Sequence, residues 1–349
     1  MDIRAAAPPR SAPPDIRPLD ARDSDAMAAW HATYHEAQLF GQDYPTPWLL
    51  EEMRAEFLAD GPGERVEAYG GYVDGVPVVV GVLELPQMDN LRVARVEVAT
   101  RPDARGRGHG SAMLDHLTAL AVRHGRTILQ AEASWRYDEP TDGAGTVNGG
   151  FLAGHGFTFS LGDVKRVLDL PVDPAVLDRL EEESAPHHAG YTLRRFRGPV
   201  PEDIIDGFGA LLGSLTAEAP SGELDLEEEV FDAARIRAHE KVMEASGRTR
   251  YSTVALASDG ELVAYSELAV PGHDPERAYQ WGTLVRPAHR GHRLGLATKV
   301  HNLRHFQEQE PGRKVLTTYN ADVNRHMIAV NEALGFRPVG RLGEFQKKL

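Results

Sequence analysis

The sequence predicts a mixed α/β protein made of two tandem copies of one domain, and three observations carry that reading. A strand, a run of alternating glycines and basic residues, and an amphipathic helix occupy Val96 to Leu117 (VEVATRPDARGRGHGSAMLDHL) and recur from Thr283 to Leu303 (TLVRPAHRGHRLGLATKVHNL). The copies are in register: Pro102 and Pro287, Arg105 and Arg290, Gly110 and Gly295 all stand 185 residues apart (287 less 102, 290 less 105, 295 less 110). A length of 349 residues also exceeds what one hydrophobic core usually supports, and suits two units.

In chain order, residues 1–14 carry four prolines and are expected to form a disordered leader. Residues 15–170 form a first domain. Asp15–Leu19 reads as an edge strand; Asp23 or Ser24 caps a helix to about Gln38; Pro47 opens a second helix with Leu50, Met53, Phe57 and Leu58 on its apolar side. A hairpin over Arg65–Leu85 turns at Asp74-Gly75, and Leu91–Ala99 is the strand before the glycine run. Met113, Leu114, Leu117, Leu120 and Ala121 fall at helical spacing up to Gly125, and Thr127–Ala133 and Lys165–Leu170 are strands around a polar loop and a short helix.

Residues 171–189 read as a linker with a short acidic helix, after which residues 190–349 repeat the order. Strand Tyr191–Arg195 precedes helices Glu202–Ala217 and Leu226–Ala245. A hairpin turns at Ser258–Gly260, strand Tyr279–Val285 leads to the second glycine turn, and helix Leu296–Phe306, strand Lys314–Tyr319 and helix Asn324–Leu334 follow.

Composition narrows the function. There are no cysteines, which removes disulfides, thiolate metal sites and a cysteine nucleophile, and no HExxH or paired-histidine spacing suggests a metal. With 38 Lys and Arg against 52 Asp and Glu, a net charge of −14 disfavours nucleic acid and anionic membrane and favours cationic partners. No apolar run reaches the length of a membrane span or signal peptide, so a cytoplasmic protein, monomeric or homodimeric, is expected.

A helix N-terminus presents unpaired N–H groups and the positive end of the helix dipole, and glycines let that backbone approach a phosphate. Each turn adds cationic side chains, so each reads as a cradle for a phosphorylated cosubstrate. Neither has the Gly-Lys-Ser/Thr of a P-loop nor GxGxxG.

Arg105-x-x-Gly108-x-Gly110 after a strand ending in Arg-Pro, with a later His155-Gly156-Phe157 or Leu334-Gly335-Phe336, resembles the acetyl-coenzyme A signature of the GNAT acyltransferase superfamily. The resemblance covers residues 15 to 349 as tandem units, similar to the mycothiol synthase-type two-domain members. It implies two domains, each a mixed, mostly antiparallel twisted sheet flanked by helices. It also implies that Arg105, Gly106, Arg107, Gly108, His109, Gly110 and Ser111 cradle the pyrophosphate, as do Arg290, Gly291, His292, Arg293, Leu294 and Gly295. The backbone of Val96, Val98 and Ala99, or of Leu284 and Val285, would pair with pantetheine, with Asn324 near it. The first turn is the cleaner match, because Arg293 replaces Gly108; the second domain has the fuller closing segment, and the analogy places the chemistry there.

Acetyl transfer to an amine needs a proton acceptor, an oxyanion donor and a proton for the thiolate. Glu97 and Glu267, on half-buried strands, are the candidate bases, and a strand N–H near Val98 or Leu284 is the oxyanion donor. The tyrosine many members place before the closing glycine is replaced by Leu152 and Asn331, leaving Tyr319 as a substitute acid and Asn331 to orient water. Acidic residues Glu51, Glu52 and Glu56, and Glu223 to Glu229, would draw a cationic acceptor. The expected activity is transfer of acetyl from acetyl-CoA to a primary amine by direct attack, without metal. The alternatives are a non-catalytic acetyl-CoA sensor, a mycothiol synthase or a longer-chain acyltransferase.

Overall fold

The computed structural model describes residues 12–218 and 220–349, so the expected disordered leader lies, up to residue 11, outside the described residues. The chain divides into two compact units, the first running to Ser160 and including Gly343–Leu349, the second Leu161–Leu342.

Unit 1 contains β1 (Asp15–Pro18), α1 (Ser24–Leu39), α2 (Leu50–Leu58), β2 (Glu64–Val73), β3 (Val76–Pro86), β4 (Val93–Thr100), α3 (His109–Arg123), β5 (Ile128–Arg136) and α4 (Val147–Gly154). Its strands lie in the order β1-β2-β3-β4-β5, antiparallel except for the parallel pair β4/β5. Asp23 caps α1 by accepting from Asp25 N and Ala26 N, and Asp74 and Gly75 take the positive φ values of the hairpin turn. Met113, Leu114 and Leu117 of α3 pack on Leu83, Ala94, Val96 and Leu129. Met27, Trp30 and Tyr34 of α1, with Met53 of α2, cover Val80, Val82 and Ala99 on the opposite face.

Unit 2 contains most of β6 (Thr158–Asp169), then α5 (Pro174–Ser184), β7 (Thr192–Arg197), α6 (Ile205–Glu218), α7 (Ala233–Ala245), β8 (Arg248–Leu256), β9 (Leu262–Pro271), β10 (Arg277–Val285), α8 (Leu294–Gln309), β11 (Val315–Ala321), α9 (Arg325–Leu334) and the first half of β12 (Arg337–Lys348). The order is β6-β11-β10-β9-β8-β7, again antiparallel but for β10/β11. Val300, Leu303 and Phe306 of α8 pack on Leu268, Ala278 and Leu316, and Phe208 of α6 with Ile236 of α7 covers Val254 and Tyr265 on the other face.

Four elements differ from the sequence expectation. α2 starts at Leu50 rather than Pro47, because α1 side chains take the preceding backbone: Trp48 N donates to the Tyr34 hydroxyl (3.3 Å), and His31 Nε2 bonds Trp48 O (2.9 Å). α7 starts at Ala233 rather than Leu226; Asp232 caps it by accepting from Arg235 N (2.8 Å), so the acidic cluster from Glu223 to Glu229 precedes the helix. β6 begins at Thr158, seven residues before Lys165 (165 less 158). β12 was not expected; its Phe345 is buried among the α3-side residues of unit 1.

Both glycine turns form the same helix start. Gly108 precedes α3 at φ 91°, and Arg293 precedes α8 at φ 51°, a left-handed conformation that costs a non-glycine residue about 1–2 kcal/mol. Two residues on, a Cβ at Gly110 would stand 3.2 Å from Thr100 Oγ1 and 3.3 Å from Phe151 Cε2, whereas at Gly295 the nearest atom is Val285 Cγ2 at 3.6 Å. Gly295→Ala therefore raises stability by about 0.5–1 kcal/mol through helix propensity. Gly110→Ala yields none of that gain; chemical denaturation of the two variants reads the difference.

Lys299 occupies the α8 position that Leu114 holds in α3 (299 less 114 is again 185), and it is 2% exposed, with Nζ 3.7 Å from Met327 Sδ. Burial pushes its ammonium from 10.5 down to about 7. Because the unfolded chain holds the proton more tightly, the penalty is complete below pH 7 and fades as pH climbs towards 10.5. Lys299→Met is expected to melt higher than the wild type at pH 6, by about 1–3 kcal/mol in stability, with the gap closing by pH 10; a gap independent of pH contradicts this.

Candidate active site

In unit 1 the parallel ladder between β4 and β5 is short. Val93, Ala94 and Arg95 pair with Ile128, Leu129 and Gln130, and the registered pairs end there, although β4 runs on to Thr100 and β5 to Arg136. The strands open into a wedge beside Val96, Val98 and Ala99, and the Arg105–Gly110 turn stands at the end of β4. The first α3 bond runs from Ala112 N to Gly108 O (3.0 Å), so the amides of His109, Gly110 and Ser111 precede it.

The arginines of this turn brace it. Arg105 Nε donates to Thr100 O (3.2 Å) and Nη2 to Ala37 O (3.3 Å), its guanidinium lies over the Phe40 ring, and Arg107 Nη2 donates to Asp103 O (3.1 Å). Ser111 Oγ meets His155 Nε2 at 2.9 Å, tying α3 to α4, and His109 is buried as the first residue of α3. The Arg105 side chain thus donates to two backbone oxygens, which leave its charge uncancelled.

Glu97 and Glu132 are two residues beyond the last ladder pair, on the face covered by α1 and α2, because Glu97 pairs with Val82 and Arg95 pairs with both Glu84 and Gln130. Gln38 Nε2 at the end of α1 donates to Glu97 Oε1 at 2.6 Å. Burial first, and the Glu132 charge second, push the Glu97 carboxyl up to about 7. Glu132 is raised by desolvation against the opposing effect of Arg95 although its side chain remains accessible, as expected of a group standing in a concave wall. Glu84 is also raised, by burial and then by Glu64. A carboxylate held near neutrality beside an open wedge can take a proton from an ammonium. Glu84, Glu132 and Gln38 escaped the sequence reading; the available signal was a carboxylate at a mid-strand position in apolar alternation.

Unit 2 repeats the geometry with different chemistry. Arg277, Ala278 and Tyr279 pair with Val315, Leu316 and Thr317 before β10 and β11 separate, and a bulge between Gln280 and Thr283 precedes Leu284 and Val285. Its turn is neutralised within the unit. Arg290 Nη2 donates to Glu218 Oε2 at 2.6 Å, Arg293 pairs with Glu183, and His292 Nδ1 bonds His187 O at 3.1 Å. Gly291 takes φ 88°, and Leu294, the first residue of α8, is buried against Ala255, Val263 and Ala264.

The remaining candidates of unit 2 make contacts within that unit. Glu267 is 5% exposed and its Oε2 lies 2.8 Å from Arg250 Nε, while Arg250 Nη1 reaches Glu240 Oε1 at 3.0 Å; burial, opposed by Arg250, raises the Glu267 pKa. Asn331 is fully buried and donates from Nδ2 to Asn320 Oδ1 (3.0 Å), and Asn324 caps α9 by accepting from Met327 N (3.2 Å). Tyr319 is half-buried on β11, with Lys165 Nζ 5.4 Å from its ring centroid.

Comparison with known proteins agrees with this geometry. Residues 30–136, within unit 1, match the acetyltransferase (GNAT) family model. No curated protein sequence matches the chain. Among solved structures, a tandem GNAT protein from the clavulanic acid biosynthesis pathway, determined without acetyl-CoA, is 27% identical, with 96% of this chain and 98% of that one aligned at a TM-score of 0.77. A GCN5-related N-acetyltransferase from Sphaerobacter thermophilus (15% identity, 97% of each chain, TM-score 0.60) shares the fold. So does the glucosamine N-acetyltransferase region of a fungal multi-domain beta-N-acetylglucosaminidase (12% identity, 96% of this chain and 38% of that one, TM-score 0.61). Among the described residues no helix is long and apolar enough to cross a membrane. Residues 30–136 of unit 1 thus match the GNAT acetyltransferase family, and the chain along almost its entire length is similar to a tandem GNAT protein.

Proposed function

We propose that unit 1 transfers an acetyl group from acetyl-CoA to the primary amine of a small cationic acceptor. The observation that carries this reading is Glu97, a desolvated carboxylate with pKa near 7 on the strand that opens the wedge and leads into the uncancelled turn. The turn amides and Arg105 face the pyrophosphate, and the β4 edge beyond Arg95 lies along pantetheine. Glu132, whose side chain is accessible, draws the ammonium in, and Glu97 removes its proton. The free amine attacks the thioester carbonyl, whose oxyanion is held by a backbone N–H near Val98; the C–S bond breaks and coenzyme A leaves as thiolate. No acyl-enzyme is needed. Unit 2, with its turn cancelled by Glu183 and Glu218 and with Glu267 paired to Arg250, supports this activity without carrying it.

Release of coenzyme A, followed with a thiol reagent across small amines, amino sugars and basic peptides, tests the activity. The base must be ionised, so kcat/KM is expected to rise with pH through an apparent pKa of about 7. Glu97→Gln should lower kcat by about 10²–10⁴-fold and remove that limb. A Glu97→Gln enzyme within about threefold of wild type, or Glu267→Gln showing the larger loss, contradicts the assignment.

A further inference from the structure

The sheet registers make the two acceptor faces comparable position by position. In unit 1 Arg95 pairs with Glu84 on one side and Gln130 on the other; in unit 2 Tyr279 pairs with Ala269 and Thr317. Two residues on, Glu97 and Glu132 are matched by Trp281 and Tyr319. Every carboxylate that equips unit 1 for an amine is thus absent from the matching position, and three aromatic rings stand where Arg95, Glu97 and Glu132 stand.

Three cations, Lys165, Arg248 and Arg277, lie on the side of these rings. Lys165 pairs across the ladder with Tyr319, is 8% exposed, and holds Nζ 5.4 Å from that ring's centroid. Arg248 lies 5.4 Å from the Trp281 ring and 5.8 Å from the Tyr279 ring. Arg277 shares the strand face of Tyr279, with Nε 3.5 Å from Asp274 Oδ2. Glu267, the carboxylate on the neighbouring strand, is engaged by Arg250. His239, its ring 6.4 Å from Trp281, is pushed down to about 4 by burial and then by Arg250, so its imidazole is neutral at pH 7 and adds no charge. Burial and Arg277 push Lys165 down to about 7, and an anion at that point would restore its charged form.

We propose that this face of unit 2 is a binding site for a small planar aromatic anion, an aryl carboxylate or aryl phosphate. The ring lies against Tyr279, Trp281 and Tyr319, and the anionic group meets Lys165 with Arg277 behind it. Stacking on aromatic faces and a charge-assisted contact to a desolvated lysine supply the affinity. A cationic acceptor is repelled by the same groups, so the two units sort ligands by charge. The site stands independently of the reaction assigned to unit 1.

Calorimetry on the full chain with benzoate and phenyl phosphate tests this, with inorganic phosphate, benzyl alcohol and benzylamine as controls. Saturable binding of one equivalent is expected, at least about tenfold tighter than any control, and the tighter of the two aryl anions identifies the anionic group. Lys165→Met, which removes a desolvated charge and keeps the fold by thermal melting, and Trp281→Leu should each weaken binding by about tenfold or more. Absence of saturable binding, benzylamine binding as tightly as benzoate, or both variants within twofold of wild type overturns the proposal.

Discussion

The interaction on which each unit depends is a parallel strand pair that stops early. β4 and β5, like β10 and β11, share three registered pairs and then diverge while both strands continue. Divergence is tolerable because neither strand needs the other for its core: β4 is held by β3 along six registered pairs, and α3 packs across both strands through Met113, Leu114 and Leu117. The backbone edge released in this way is available to an extended ligand, which can complete the ladder with its own amides. The left-handed turn at the end of the strand then aims the helix N-terminus at whatever anion that ligand carries.

Duplication preserved this frame and let its electrostatics diverge. In unit 1 the arginines of the turn are bound to carbonyl oxygens, and the face beside the parted strands holds carboxyls whose pKa values burial raises. In unit 2 the arginines are bound to carboxylates, and rings and cations stand at the matching positions of the sheet. A neutralised turn loses most of its Coulombic attraction for a pyrophosphate, since any incoming anion must displace Glu183 and Glu218. Buried charge is used structurally in the same unit: the Glu240, Arg250 and Glu267 network lies under α7, where breaking one partner would strand the others.

Most of the fold was legible because its signals are local. Asp23, Asp173 and Gly335 mark helix ends, Asp74-Gly75 marks a hairpin, and the matched glycine turns mark the repeat. The failures are where distant partners decide. Five acids from Glu223 to Glu229 beside apolar residues look helical, yet Asp232 caps the chain seven residues later than expected (233 less 226). β12 carries two glycines and few β-branched residues, so only its partners make it a strand. For the site, glycine spacing located both turns, but the state of each arginine depends on residues up to 110 positions away in sequence, as with Arg293 and Glu183. Glu97 was visible as a strand carboxylate; that Glu84 and Glu132 share its face follows only from ladder register.

The central claim is that the two turns are unequal, and the number of acetyl-CoA sites per chain tests it most directly. Titration calorimetry is expected to give one equivalent per chain, with Gly110→Trp abolishing binding and Gly295→Trp leaving stoichiometry and affinity unchanged. Two equivalents of similar affinity, or loss of the single site through Gly295→Trp alone, would contradict the account.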